Sequence, residues 1–180
     1  MLQPYVTPLP LVLATVIHLT CLILVVGLVR IAPPQYPGWK VIGPGGTHWF
    51  CFAGSWAFSA LVTWVWLFIG SARRDAEQQQ VYMLALIFAF GLGAILSGFY
   101  ILRMRRTALR WRGGTLRWRG KGGDVAQDMA DFDSWRKTLG GSIQLRFRDG
   151  TALTLDPYAR HAEELSVVIN DHAGGRLDII

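Results

Sequence analysis

Acidic residues are almost missing from the first hundred positions. Only Asp75 and Glu77 occur there, beside four bases, Arg30, Lys40, Arg73 and Arg74. So little charge excludes a water-facing surface for this part of the chain, because soluble surfaces are roughly a quarter charged or more. Cysteine is equally scarce. The two present, Cys21 and Cys51, lie in apolar stretches, which excludes the disulfide framework of a small secreted domain. No nucleophile elbow, phosphate-binding loop, HExxH or CxxC occurs, so no hydrolase, nucleotide or zinc motif is on offer. Residues 1–10 hold no Lys or Arg, so a secretory signal is not expected there.

What fills the space is apolar. Hydrophobic residues make up 52% of the 180 residues, concentrated in stretches 9–31, 49–69 and 81–102. At about 1.5 Å of rise per residue each can cross a hydrocarbon core of about 30 Å as a helix. Thr15, His18 and Thr20 are the polar interruptions of the first, and threonine hydroxyls can bond back to their own helix. Trp49, Trp64, Trp66, Tyr82 and Tyr100 stand near stretch ends, where aromatic belts form. Arg103, Arg105 and Arg106 follow the third stretch at once. The positive-inside rule therefore predicts a cytoplasmic tail and, after three crossings, an external N-terminus in a bacterial inner membrane. Loop 32–48 then falls on the tail's side. With Pro33, Pro34, Pro37, Pro44 and four glycines, it reads as a linker or a docking loop.

Small residues predict where helices touch: Ala89, Gly93 and Ser97 in the third stretch, and Ala53, Ala57 and Ala60 in the second. They would serve packing within the bundle, or contact with a second copy or another membrane protein. His18 with Cys21, and His48 with Cys51, are spaced three apart and could offer imidazole and thiolate to a soft metal or haem. The competing reading is hydrogen bonding between helices, and no metal or cofactor is assigned.

Beyond the third stretch the charge splits. Residues 103–121 hold eight bases and no acid, whereas 122–180 hold ten acids and six bases. Leu109-Arg110-Trp111-Arg112 and Thr115-Leu116-Arg117-Trp118-Arg119 alternate with the period of a strand around Gly113-Gly114. The register sets Arg112 opposite Thr115, Trp111 opposite Leu116, Arg110 opposite Arg117 and Leu109 opposite Trp118. One face is apolar. The other carries Arg110, Arg112, Arg117 and Arg119. The opposed Arg110 and Arg117 need an anion. It could come from Asp124, Asp128, Asp131 or Asp133, or from a headgroup layer. A second hairpin pairs Leu145 with Leu153 and Ile143 with Leu155 across a three-residue loop 148–150, with Gly150 left-handed. Asp156 and Pro157 predict the start of a helix with Ala162, Leu165, Val168 and Ile169 inward and Gly174-Gly175 at its end. His161, Glu163 and Glu164 read as its solvated first turn, and His172 as a surface residue near its end. Residues 125–139 suit a helix through Val125, Met129, Phe132 and Leu139, or a strand over 132–138.

The order of strand, Arg-Asp-Gly turn, strand and closing helix over 142–170 resembles the bacterial pleckstrin-homology-like domains of small membrane proteins. It covers less than half the chain. The resemblance implies a bent antiparallel sheet plugged by a helix and a lipid- or protein-binding module, and it carries over no catalytic residue. The tail alone is short of the seven strands of the full form.

The expected architecture is three membrane helices plus a small C-terminal α+β domain. Residues 1–102 form the first part, 103–121 a basic segment with the first hairpin, and 122–180 the remainder. Arg103, Arg105, Arg106, Arg110, Arg112, Arg117, Arg119 and Lys121 can act as an orientation signal, a surface for anionic lipid, or a nucleic-acid surface. The last is set aside because the hairpin's tryptophans face the core. The function expected is a non-catalytic membrane-anchored adaptor or assembly factor. The alternative is a small transport or redox subunit working through its helices.

Overall fold

The computed structural model describes residues 8–30, 36–69, 76–120 and 122–172. Two compact units divide the chain. One comprises 1–32 and 49–102, the other 33–48 and 103–180.

The first unit contains helices α1 (Pro8–Arg30), α2 (Gly46–Trp64), continued by a π-helical turn Val65–Ile69, and α3 (Ala76–Thr107). All three are long and apolar enough to cross a membrane. They are apolar all round rather than amphipathic, and Val16, Ile23, Phe50, Leu61, Phe68 and Leu96 stay outside. Cys21, Leu24, Leu28, Phe52, Ala94 and Ile101 pack in one layer and Ala14, Trp66 and Ile87 in another.

The stripe of α3 that turns inward is Ile87, Gly91, Ala94, Gly98 and Ile101, not Ala89, Gly93 and Ser97. A β-carbon at Gly91 would fall 2.5 Å from Ile17 Cγ2, and one at Gly98 would fall 2.9 Å from Leu24 Cδ1. Ala89 is exposed and Gly93 and Ser97 are half-buried, Gly93 beside Ser55. The geometry explains the offset. Four residues turn a helix through 400°, so a 4-4 stripe drifts off a straight line, whereas the 4-3-4-3 spacing stays on it. Ala53, Ala57 and Ala60 of α2 are also exposed, and Phe52, Ser59 and Thr63 form its buried face.

The second unit holds two antiparallel sheets. The first has the order β1 (Lys40–Val41), β2 (Arg110–Arg112), β3 (Thr115–Gly120), β4 (Gly123–Asp128). The second has β5 (Phe132–Lys137), β6 (Ile143–Phe147), β7 (Ala152–Leu155). Helix α4 (Ala162–His172) follows. Alternation fixes the inward faces. Leu109, just before β2, and Trp111, Leu116 and Trp118 from the first sheet meet Phe132, Leu145, Phe147, Leu153 and Leu155 from the second, with Leu165 and Ile169 of α4, in one core.

Both hairpin registers match expectation: Arg110↔Arg117, Trp111↔Leu116 and Arg112↔Thr115, then Ile143↔Leu155 and Leu145↔Leu153. Gly113 has φ 54° and Gly150 φ 84°, the left-handed values those turns demand. The strand alternative over 132–138 is taken by β5, whereas 125–128, read only as helix, close β4, and a 3₁₀ turn Met129–Asp131 capped by Asp128 joins the two.

Two expectations are corrected. Loop 32–48 is not only a linker. Pro37 and Gly38 (φ 76°) make a turn closed by Trp39 N donating to Tyr36 O at 3.0 Å, the Pro-then-Gly chemistry of a type II turn. Lys40 then pairs with Trp111 and Val41 with Arg110. Arg160 N donates to Gly43 O at 2.8 Å, and a β-carbon at Gly45 would strike the Tyr158 carbonyl. The second correction concerns α4, which begins at Ala162, not at Pro157. Asp156 is occupied in a turn, accepting from Tyr158 N at 2.8 Å, while Arg160 bridges to Gly43. His161, at φ 63°, then redirects the chain. Ala162, Leu165 and Ile169 are buried and Val168 partly so. Gly174 and Gly175 lie outside the described residues.

Candidate anion-binding surface

The eight basic residues proposed from sequence separate by environment. Arg103 and Arg106 are exposed on the last turn of α3, and Arg105 is half-buried there. Arg112, Arg117 and Arg119 are exposed on β2 and β3. Lys121 lies outside the described residues. Arg110 differs from the others. It is only 9% exposed, although alternation places it on the outer face of β2.

What covers Arg110 is the segment read as a linker. The Tyr36 ring lies 3.7 Å from its guanidinium carbon and the Trp39 ring 5.9 Å away. Trp39 also lies 5.3 Å from the Arg117 guanidinium. Delocalised guanidinium is weakly hydrated and stacks well on aromatic faces. Asp124 is the anion. Its carboxylate is 3.7 Å from Arg110 Nη2 and 3.9 Å from Arg119 Nε. Two rings and one carboxylate, all from this chain, thus offset the charge of Arg110, and Trp39 also faces Arg117 opposite it. Arg110 is therefore a structural cation. Arg112, Arg117 and Arg119, with Arg103 and Arg106, are the ones a ligand can reach. The signal for the roof was the tetrapeptide Tyr36-Pro37-Gly38-Trp39, a turn with aromatics on both sides.

Lys40 anchors the other end of β1. Its ammonium is 2.7 Å from Glu164 Oε2 on α4 and 5.8 Å from the Trp111 ring. His161 Nδ1 is 3.0 Å from Glu164 Oε1. The Lys40 hydrogen bond, then the one from His161, holds the Glu164 carboxyl below the ordinary glutamate range.

The four residues considered for metal are distributed as follows. His48 Nδ1 accepts from Gly45 N at 3.1 Å, so Nε2 carries the proton and donates to Asp156 Oδ2 at 3.1 Å. Cys51 is exposed and Cys21 buried. His18 Nε2 is 3.1 Å from Thr63 Oγ1, which donates to Ser59 O at 2.8 Å, and Ser59 Oγ donates to Ile87 O at 3.1 Å. Polar side chains therefore stitch α1 to α2 and α2 to α3. Among the described residues no three His, Cys, Asp or Glu side chains converge.

No family model matches the chain, and neither a curated protein nor a solved structure matches it.

Proposed function

We propose that the chain is a non-catalytic membrane-anchored adaptor whose second unit is pleckstrin-homology-like and binds the anionic lipid surface through Arg103, Arg106, Arg112, Arg117 and Arg119. The observation that carries this reading is the sorting of the basic block. One arginine is neutralised inside the chain, while its neighbours stay exposed within a few residues of an apolar span. Each base near an anionic surface contributes about 1 kcal/mol.

Three further observations support the parts of the reading. An exterior of Val, Leu, Ile and Phe on all three helices suits lipid, since soluble proteins rarely expose such contiguous apolar surface. β1 comes from loop 36–48 and pairs with β2 beyond α3. This pairing fits a loop and tail on one side of the membrane after two crossings, and positive-inside counting favours the cytoplasmic side, in keeping with a bacterial inner membrane. Among the described residues, seven antiparallel strands in sheets of four and three, then a helix, supply the strand count that the tail alone lacks.

The test is vesicle partition of the second unit, with 36–48 joined through a Gly/Ser linker to 103–172. R112Q/R117Q/R119Q lowers partition onto phosphatidylglycerol vesicles about a hundredfold, from about 1 kcal/mol per residue. Equal partition of parent and variant overturns the reading. The adaptor role is tested by recovering a stoichiometric membrane partner with the full chain in mild detergent.

The second reading, a small transport or redox subunit, has the His18–Thr63–Ser59 chain on its side, because ionisable groups within spans are commonly functional. A chromophore or transported ion lost in H18F selects it.

A further inference from the structure

We propose that the outer face of the three-stranded sheet carries a second, separate anion site, selective for a phosphomonoester group, with Arg146 and Arg148 as its binding forks. This site is independent of the β2–β3 surface. An open cavity of about 460 Å³ lies there, lined by Asp133, Gln144, Arg146, Arg148, Gly150 and Ala152 beside the buried Phe147.

The sequence builds the cavity from side-chain size. On β6, Ile143, Leu145 and Phe147 point inward, so Gln144 and Arg146 share the outer face, and Arg148, in the turn just past the strand, lines the same cavity. Arg146 is paired with Ala152 on β7, and the turn places Gly150 near Arg148. Neither neighbour has a side chain that could cover a guanidinium. On the other side β5 has a register shift between Phe132 and Ser134, which sets Asp133 off the ladder. Bulges of this kind re-aim a side chain.

Of the nearby acids, Asp149 is engaged within its own turn, and Asp133 stands at the cavity wall with one oxygen held by the adjacent Ser134. Asp149 accepts from Thr151 N at 2.8 Å and from Thr151 Oγ1 at 2.6 Å, which holds its carboxyl below the usual range. Asp133 accepts from Ser134 Oγ at 3.1 Å. Among the described residues no carboxylate pairs with Arg146 or Arg148. Gln144 is oriented by Arg136, whose Nε donates to Gln144 Oε1 at 2.5 Å. The amide NH₂ is left as a donor at the cavity wall.

Two unpaired forks and an amide donor ask for an acceptor with more than two oxygens and more than one charge. A carboxylate saturates one fork. A phosphomonoester, with three terminal oxygens and close to two charges at neutral pH, suits both. A phosphodiester offers two oxygens and one charge. The monoester group can belong to a free small molecule or to a lipid headgroup such as that of phosphatidic acid.

The test uses the full chain in phosphatidylcholine nanodiscs, titrated calorimetrically with glycerol 3-phosphate, and a second set of discs doped with phosphatidic acid. The parent binds one equivalent of glycerol 3-phosphate, or retains phosphatidic acid in preference to phosphatidylglycerol. R146Q/R148Q weakens this at least tenfold. A152E, which leaves both arginines in place and supplies the missing counter-ion opposite Arg146, weakens it similarly. R146K/R148K keeps the charge but not the forks, and also binds at least tenfold less. Binding confined to the free ester identifies a soluble ligand; binding confined to the doped discs identifies a lipid. Absence of binding to either probe overturns the site, as does tight binding by R146Q/R148Q, A152E or R146K/R148K.

Discussion

Arg110 shows how one residue can look like a ligand contact and serve the fold. Its place on an alternating strand puts it outside, and its exposure puts it inside. Two rings and one carboxylate account for the difference. Arg110→Gln removes the stacked cation and is expected to destabilise the second unit by about 2 kcal/mol, the upper part of the range for a desolvated cation–π contact. Arg112→Gln, exposed on the same strand, is expected to change stability by less than about 0.5 kcal/mol. Urea unfolding of the two variants, followed by tryptophan fluorescence, checks the contrast. Glu164 gives a pH prediction. Its folded carboxyl titrates below its ordinary value of 4.5. Its contribution is therefore complete above that value and is lost as pH falls through the lower folded pKa. In Glu164→Gln this acid-side loss disappears, and the difference between parent and variant is read from unfolding midpoints measured at descending pH.

At the scale of elements, β1 is the telling piece. A strand of two residues has little pattern, and it pairs with a partner some seventy positions later, so alternation could not reveal it. The Pro37-Gly38 pair is a local turn signal, but nothing local gives its destination. By contrast, the β2–β3 and β6–β7 hairpins were legible, because period-two alternation and glycine turns fix register locally, whereas β4, with little alternation of its own, was not. Helix α4 was legible in its inward face and misplaced at its start, since Asp156 has two local roles open to it and a contact with distant residues chose the turn. The roof over Arg110 was hidden for the same reason as β1. A fragment of 103–172 is predicted to lack a fixed tertiary core, and covalent restoration of 36–48 to recover it. Dispersed amide resonances in the joined form and collapsed ones in the fragment would show this. Within the helices, Gly91→Leu and Gly98→Leu each place a side chain where Ile17 or Leu24 stands. Each is predicted to lower the melting temperature of the detergent-solubilised protein by several degrees, whereas Ala89→Leu, exposed, leaves it unchanged.

At the scale of the molecule, the chain interrupts one small β unit with two apolar helices. Among the described residues, β1 precedes α2 and every other strand follows α3. The second unit therefore cannot be completed before both helices have been made. That arrangement ties the folding of the arginine-bearing sheet to the helical unit through the chain itself. The measurement that tests the account most directly is hydrogen exchange of the full chain in nanodiscs of phosphatidylglycerol against phosphatidylcholine, read at Arg112, Gly113 and Gly114. Slower exchange at these amides in the anionic discs, abolished in R112Q/R117Q/R119Q, is the predicted result. Identical exchange in both lipids would contradict the proposed lipid-facing role of this surface.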